Sequence, residues 1–251
     1  MTIERQKIST SKQPALGEPI RVFSDEDRFP TKLLSLKHPP KELHAAGNLR
    51  FSERPSIAIV GSRHSSEHGL DIAARIARVA AEAGIVVVSG YAKGVDTAAH
   101  LAALEARGDT VFVLPFGFKH FHVKRELKPL VSPEHVLAIS QFPFGQPWFA
   151  SAAMKRNEIV CGLADCVIVV EAGETGGTVE AARTAHALGK RLYVVDFQDP
   201  APSAIGNAYL ISTLHAHPLR SVRDVMLLVQ ELSDSGRRIE ATCLPAQSVL
   251  F

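Results

Sequence analysis

Three loops in the sequence combine glycine with small hydroxyl residues, as phosphate-binding turns do. The first is residues 61–69, which directly follow a β-branched run and lead into a helical pattern. Small residues let a ligand approach the backbone closely, a helix start offers free amides, and the guanidinium of Arg63 can donate two hydrogen bonds to phosphate oxygens. Because glycine and serine also serve turn geometry alone, this loop by itself is compatible with a phosphate site or a simple turn.

The second loop, residues 89–100, again leads from a β-branched run into a helix and carries Lys93, which could face the same anion. Within it, Asp96 and His100 lie one helical turn apart. A carboxylate and an imidazole at this spacing could form an acid–base pair or half of a metal site. The alternative is an aspartate that caps the helix and a histidine that is packed or hydrogen-bonded.

The third loop, residues 171–180, has a turn of small residues at a predicted helix start, suited to a phosphate or a ribose. Because all three loops follow predicted parallel strands, together they indicate a cleft lined by amides, hydroxyls and a few basic groups. The Gly-x-Gly-x-x-Gly fingerprint is missing after the first strand, which disfavours a conventional dinucleotide site. We expect phosphate contacts in the three loops at Gly61, Ser62, Arg63, Ser66, Ser89, Gly90, Lys93, Gly94, Thr175, Gly176, Gly177 and Thr178.

Residues 116–128 carry four lysine or arginine residues, one glutamate and three phenylalanines. A groove for a single strand uses cations for phosphates and rings for base stacking. Alternatively, the rings belong to the core and the charges to a solvated face. His120 and His122 have no nearby cysteine or carboxylate pattern to complete a metal site, so we expect neither a metal nor another cofactor.

The composition is that of an ordinary globular protein. Of 251 residues, 46% are apolar and 22% are charged, which excludes collagen-like, coiled-coil and wholly disordered chains. The formal net charge of +2 does not by itself indicate a nucleic-acid binder, so any anion site must be local. The sequence has no membrane-length apolar run and no signal-like start, so we expect a cytoplasmic protein without membrane contact, its three cysteines free thiols.

A regular alternation of strands and helices must position the loops. Several of the β-branched runs are apolar at consecutive positions, which predicts strands covered on both faces. Such a chain folds as an α/β, doubly wound, mostly parallel sheet of the extended Rossmann-like kind, with ligands at the carboxyl ends of the strands. The six predicted strands are residues 57–60, 85–89, 110–114, 136–139, 166–171 and 191–195.

The predicted core, residues 20–220, is flanked by two different segments. Residues 1–19 lack apolar periodicity, which predicts a flexible arm. Residues 221–251 predict a C-terminal helix followed by a tail that begins at Ser233. An apolar stripe on this helix, which we expect to pack on the domain, consists of Val222, Val225, Met226, Val229 and Leu232.

Ordered motifs in the chain match those of a known family. Residues 60–63 read Val-Gly-Ser-Arg, and residues 89–100 fit Ser-Gly-x-Ala-x-Gly-x-Asp-x-x-Ala-His. An Arg-Asn pair, Arg156 and Asn157, precedes an Ile-x-x-Gly-Leu pattern. Over residues 29–212 the sequence therefore resembles the DNA-processing protein family called DprA or Smf, represented by its Rossmann-like core. The resemblance adds Lys155, Arg156 and Asn157 to the expected phosphate contacts.

The resemblance also implies a function and partners. It implies a non-catalytic binder of single-stranded DNA that protects incoming DNA and helps to load a RecA-type recombinase, in DNA uptake, transformation and recombination. It further implies a homodimer formed through the Rossmann core.

Two departures from the family pattern leave other functions open. Glu158 stands where the family usually has a second arginine, and the turn at 175–178 is followed by Glu180. This turn resembles that of the cytokinin-activating phosphoribohydrolases of the same wider superfamily. The alternatives are therefore a nucleotide-binding sensor or a nucleoside-monophosphate hydrolase, with Glu180 and Arg156 near the ribose and phosphate. A third possibility is a subunit of a larger assembly whose cleft has become structural.

Overall fold

Strands and helices alternate along the part of the chain that the structure describes. The computed structural model describes residues 15–243, and the side chains of residues 15–234. The strands are β1 (Ile20–Phe23), β2 (Glu42–Gly47), β3 (Ser56–Val60), β4 (Val86–Ser89), β5 (Thr110–Val113), β6 (Val136–Ser140), β7 (Cys166–Val169), β8 (Arg191–Val195) and β9 (His217–Leu219). The helices are α1 (Thr31–Leu34), α2 (Glu67–Glu82), α3 (Val95–Glu105), α4 (Ala150–Leu163), α5 (Gly177–Ala187), α6 (Asn207–Thr213) and α7 (Val222–Cys243).

The strands form one sheet in the order β1-β2-β6-β5-β4-β3-β7-β8-β9. From β6 to β9 in this order neighbouring strands are parallel, whereas β2 pairs antiparallel with both β1 and β6. Along the chain, β4, β5 and β6 are added in turn on one side of β3. The chain then crosses back, and β7, β8 and β9 are added in turn on the other side of β3. This reversal between β3 and β7 creates a crevice at the carboxyl ends of the two strands. The predicted fold class is confirmed.

The residues of β3 explain how the sheet is covered on both faces. Ile57 and Ile59 pack in a core layer with α2, α3 and α7, while Ala58 and Val60 pack in another with α1, α4 and α5. All four side chains are buried. Because helices cover both faces, consecutive apolar residues are the pattern that such a strand requires.

The predicted strands are all present, but β1, β2 and β9 are missed by the sequence analysis. Strand β1 exposes three of its four residues and β9 contains a proline, so neither carries a continuous apolar run. Leu16, within the predicted arm, is buried. Residues 1–14 of that arm and residues 244–251 of the predicted tail lie outside the described residues.

Helix α7 corrects two predictions. It runs to Cys243, well beyond the predicted start of the tail at Ser233. Val222 and Met226, two members of the predicted packing stripe, are exposed. The reason is that the face packed with α2 follows the i, i+3, i+4, i+7 series from Val225, and the buried residues of that series are Val225, Leu228, Val229 and Leu232.

Two further predictions concern membrane contact and cysteines. Within residues 15–243, no helix has the length and apolar composition needed to cross a membrane. Cys161 and Cys166 are free and buried, and burial raises the pKa of each thiol to about 12, which makes both unreactive near neutral pH. The side chain of Cys243 lies outside the described part.

Candidate functional site

A cleft of about 430 Å³ lies between the loops that follow β3 and β7. It is at the carboxyl ends of the parallel strands, where the sequence predicts the ligand site. Its walls come from those loops, from the start of α3, from the N-terminal half of α4 and from the start of α5. The cleft brings together eight of the predicted contact residues: Gly61, Ser62, Arg63, Arg156, Asn157, Thr175, Gly177 and Thr178.

The first loop is held by Glu171, a fully buried residue in the loop directly after β7. Its carboxylate accepts hydrogen bonds from the Ser65 hydroxyl at 2.6 Å, the Ser66 amide at 2.9 Å and the Ser203 hydroxyl at 2.8 Å, and also from the Ser66 hydroxyl. Ser66 is therefore directed to Glu171 and does not line the cleft. Burial acts to raise the pKa of Glu171, but these hydrogen bonds outweigh it and lower the pKa.

The second loop packs tightly on the first. Gly94 has φ +75°, and a Cβ there would lie 2.3 Å from the carbonyl oxygen of Ser62. A Cβ on Gly61 would lie 2.5 Å from the side chain of Val95. The hydroxyl of Ser89 is buried and donates to the carbonyl of Ile59 at 2.6 Å. Gly94 and Ser89 thus shape the loop and do not line the cleft.

Arg156 forms the floor of the cleft. Its side chain is only 6% exposed, and Nη1 lies 3.9 Å from Oδ2 of Asp96, too far for a hydrogen bond. The buried Nε has no hydrogen-bond partner. Burial lowers the pKa of Arg156 while Asp96 opposes that shift, and an arginine in this setting remains a cation.

Asp96 and His100 point to different partners. Asp96 accepts a hydrogen bond from the amide of Ala92 at 3.1 Å. Nδ1 of His100 lies 2.7 Å from the hydroxyl of Thr110, which itself donates to the carbonyl of Val87, so Nδ1 is the donor. Burial holds the pKa of His100 well below its usual value, leaving the ring neutral. The packing interpretation of His100 is supported, but the predicted cap is wrong, because Gly94 is the N-cap residue of α3 and no side chain caps it. No group of three metal-ligating side chains occurs among the described residues.

The segment 116–128 packs against the second loop and does not form the single-strand groove considered in the sequence analysis. Phe118 is buried, and Phe116 and Phe121 are partly buried against the same apolar cluster, as the core interpretation predicts. Nζ of Lys124 donates to the carbonyl of Ala92 at 2.7 Å and to the hydroxyl of Thr97 at 2.6 Å. Burial is the main cause that lowers the pKa of Lys124 to about 8. These two hydrogen bonds of Lys124 therefore fix the position of the second loop.

Exposed aromatic residues at the mouth of the cleft are missed by the sequence analysis. Trp148 and Phe149, in the connection from β6 to α4, are 48% and 51% exposed. The guanidinium of Arg63 lies over the Trp148 ring, 5.6 Å from its centroid. The run Phe-Pro-Phe-Gly-Gln-Pro-Trp-Phe at 142–149, directly before a helix, was the available signal. Lys93 and Lys155 are exposed on the segments that border the cleft.

The third loop places the start of α5 at the cleft. Gly176 has φ +108° and is the N-cap residue, and no side chain caps the helix. Nδ2 of Asn157 donates to the carbonyl of Gly177 at 3.1 Å, which ties α4 to α5. Glu180 does not line the cleft, because its carboxylate accepts a hydrogen bond from Arg183 at 2.6 Å on the surface.

Comparison with known proteins identifies several relatives. A family model described as DNA recombination-mediator protein A matches residues 21–230. Protein Smf of Escherichia coli is 31% identical over 186 residues, 73% of this chain and 48% of Smf. DNA processing protein DprA of Streptococcus pneumoniae is 33% identical over 172 residues, 68% of this chain and 60% of that protein. The chain thus spans about half to three fifths of the length of these relatives.

A solved structure agrees with this similarity. The X-ray structure of DprA from Streptococcus pneumoniae superposes on the chain with a TM-score of 0.76 at 29% sequence identity. The superposition covers 85% of this chain and 75% of that chain.

Proposed function

Because the chain belongs to the family of DNA recombination-mediator protein A, we propose that it is a DNA-processing protein that binds single-stranded DNA across the mouth of the cleft. Its role would lie in DNA uptake, transformation and recombination, in the cytoplasm, with residues 20–220 as the binding core. The observation that carries this proposal is the arginine–tryptophan pair at the cleft mouth, Arg63 and Trp148.

This pair supplies both interactions that a single strand requires. Unpaired bases stack on exposed aromatic rings, and Trp148, which lines the cleft and is 48% exposed, presents such a ring. Arg63 lies over the Trp148 ring, and Lys93 and Lys155 are exposed on segments that border the cleft. This local positive charge attracts backbone phosphates although the net charge of the chain is only +2. In a duplex the bases are already stacked and paired, so we expect preference for single strands.

We further propose that the protein is not an enzyme. The hydrolase alternative places Glu180 near the ribose, but Glu180 is paired with Arg183 outside the cleft. The carboxylate that does line the cleft, Asp96, accepts a hydrogen bond from the amide of Ala92 and lies 3.9 Å from Arg156. Glu171 is occupied by four hydrogen bonds and its pKa is lowered, so it is not a proton donor near neutral pH. Incubation with AMP should release no adenine, and adenine release would contradict this part of the proposal.

The partners we propose are a second copy of the chain and a RecA-type recombinase. Support for the homodimer comes from α7, which presents Val222, Met226 and Leu227 to solvent on the side away from its packed face. Exposed apolar residues grouped in this way mark protein interfaces. Recombinase loading follows from the family resemblance, and it should appear as faster assembly of RecA on DNA already coated with a single-strand-binding protein.

The proposed function is tested by fluorescence anisotropy of a labelled single-stranded oligonucleotide at two salt concentrations, with duplex as competitor. We expect binding that weakens with salt and that duplex competes poorly. Absence of binding at low salt would contradict the proposal.

A further inference from the structure

We propose that the floor of the cleft binds the terminal phosphomonoester of a DNA strand, so that the protein recognises a strand end. This inference rests on the proposed binding of single-stranded DNA. It draws on two independent features, the buried Nε of Arg156, which has no hydrogen-bond partner, and the uncapped start of α5.

The described chain gives Arg156 a distant ion-pair partner, Asp96, but no hydrogen-bond acceptor for its buried Nε. Its side chain is 6% exposed, its Nε has no hydrogen-bond partner, and Nη1 lies 3.9 Å from Oδ2 of Asp96, within ion-pair distance but too far for a hydrogen bond. A buried donor without a partner is costly, and a buried guanidinium more so. A ligand with several acceptor oxygens would satisfy it, and phosphate matches the guanidinium geometry.

The start of α5 faces the same space. Gly177 and Thr178 line the cleft together with Arg156. No side chain accepts hydrogen bonds from the first amides of α5, whereas the start of α2 is capped by Ser66. The bond from Asn157 to the carbonyl of Gly177 fixes this helix start beside the turn of α4 that carries Arg156. The first amides of α5 and the guanidinium of Arg156 therefore border the same space, in which a single anion would contact both.

The depth of Arg156 favours a strand end over an internal phosphate. An internal phosphodiester continues on both sides, so it can lie across the mouth, but it reaches a guanidinium that is only 6% exposed only if both flanking nucleotides enter the cleft. A terminal phosphate continues on one side only and carries up to two charges at pH 7. The lining of the cleft includes the small residues Ala153, Gly177 and Ala181 beside the larger Trp148 and Met154, and its volume of about 430 Å³ leaves room for this group.

The test compares four single strands of one sequence: one with hydroxyl ends, one with a 5′-phosphate, one with a 3′-phosphate, and a circle without ends. We expect one phosphorylated strand to bind about tenfold more tightly than the hydroxyl strand and the circle. Equal and tight binding of all four would overturn this inference and leave the proposed function standing. Failure of all four to bind would overturn both.

Two further measurements examine the pocket itself. Thr178→Asp adds a charge that suits a helix start but repels phosphate, so it should abolish the preference for a phosphorylated end. Gln230→Glu adds the same charge on the exposed side of α7 and should keep the preference. Preference unchanged in Thr178→Asp would overturn the inference. So would displacement of the phosphorylated strand by an equal concentration of AMP, because the pocket would then bind free nucleotides.

Discussion

The guanidinium of Arg156 lies directly against the backbone of Gly90. A Cβ at residue 90 would come within 1.1 Å of Nη1 of Arg156. The place of this arginine in the cleft therefore depends on the absence of a side chain at Gly90, a residue that does not itself line the cleft.

Gly90→Ala should weaken binding of single-stranded DNA about tenfold, because the methyl group displaces the guanidinium from the floor. We expect a loss of stability of about 1–3 kcal/mol from overpacking. Anisotropy titration and urea unfolding measure the two effects. Gly145→Ala is the control, since a Cβ there would meet no atom within 4 Å. Unchanged affinity in Gly90→Ala would remove Arg156 from the binding site.

Trp148→Ala should lower the affinity for single-stranded DNA by about 1–3 kcal/mol, the contribution of one base stacked on an aromatic ring. Trp148→Phe should recover part of this loss. The matched control is Phe23→Ala, because Phe23 also lies under an arginine, Arg21, but on the edge strand β1. An equal loss in both alanine variants would show that Trp148 has no specific role.

Arg63→Ala should reduce the salt dependence of binding. For single strands, the logarithm of the binding constant falls by about 0.7 per phosphate neutralised for each tenfold rise in salt. One lost contact should therefore make the slope shallower by about 0.7. Titrations at four salt concentrations measure it, with Arg21→Ala expected to keep the original slope. An unaltered slope would exclude a phosphate contact by Arg63.

Glu171→Gln should destabilise the protein near pH 7 by about 1–3 kcal/mol, because it removes the charge that accepts the serine hydrogen bonds. Since the pKa of Glu171 is lowered in the folded state, its contribution is present above the ordinary glutamate pKa and is lost as pH falls through the folded value. The difference between parent and variant should thus shrink on acidification.

Urea unfolding at several pH values between 3 and 7 measures this difference. Glu180→Gln, which removes a surface ion pair, is the control and should change stability little. A difference for Glu171→Gln that stays constant with pH would argue against the ionised carboxylate.

Met226→Lys should convert a homodimer to a monomer without loss of stability, because the side chain is exposed in the protomer. Light scattering on a sizing column measures the mass. Thr213→Lys introduces the same charge at an exposed position of α6, which packs on the other face of the sheet, and should leave the dimer intact. A parent protein that is already monomeric at micromolar concentration would contradict the proposed dimer.

The sequence predicts the fold well because buried parallel strands require continuous apolar runs, and β3 to β8 have them. It also predicts much of the cleft, because small residues after β3 and β7 are local features of those loops. What it does not predict depends on contacts distant in sequence. Ser66 turns toward Glu171 and Lys124 toward Ala92, and these pairs are 105 and 32 residues apart. The aromatic mouth was missed for another reason, since Trp148 and Phe149 lie in a connection without periodicity.

The carboxylate of Glu171 takes the position that a cofactor phosphate occupies in dinucleotide-binding relatives of this architecture, the start of the helix after the first parallel strand. The carboxylate of Glu171 thus accepts, from Ser65 and Ser66, hydrogen bonds of the kind that a cofactor phosphate would accept. A dinucleotide such as NAD would find this position filled. We therefore expect NAD not to compete with single-stranded DNA for the neighbouring helix start.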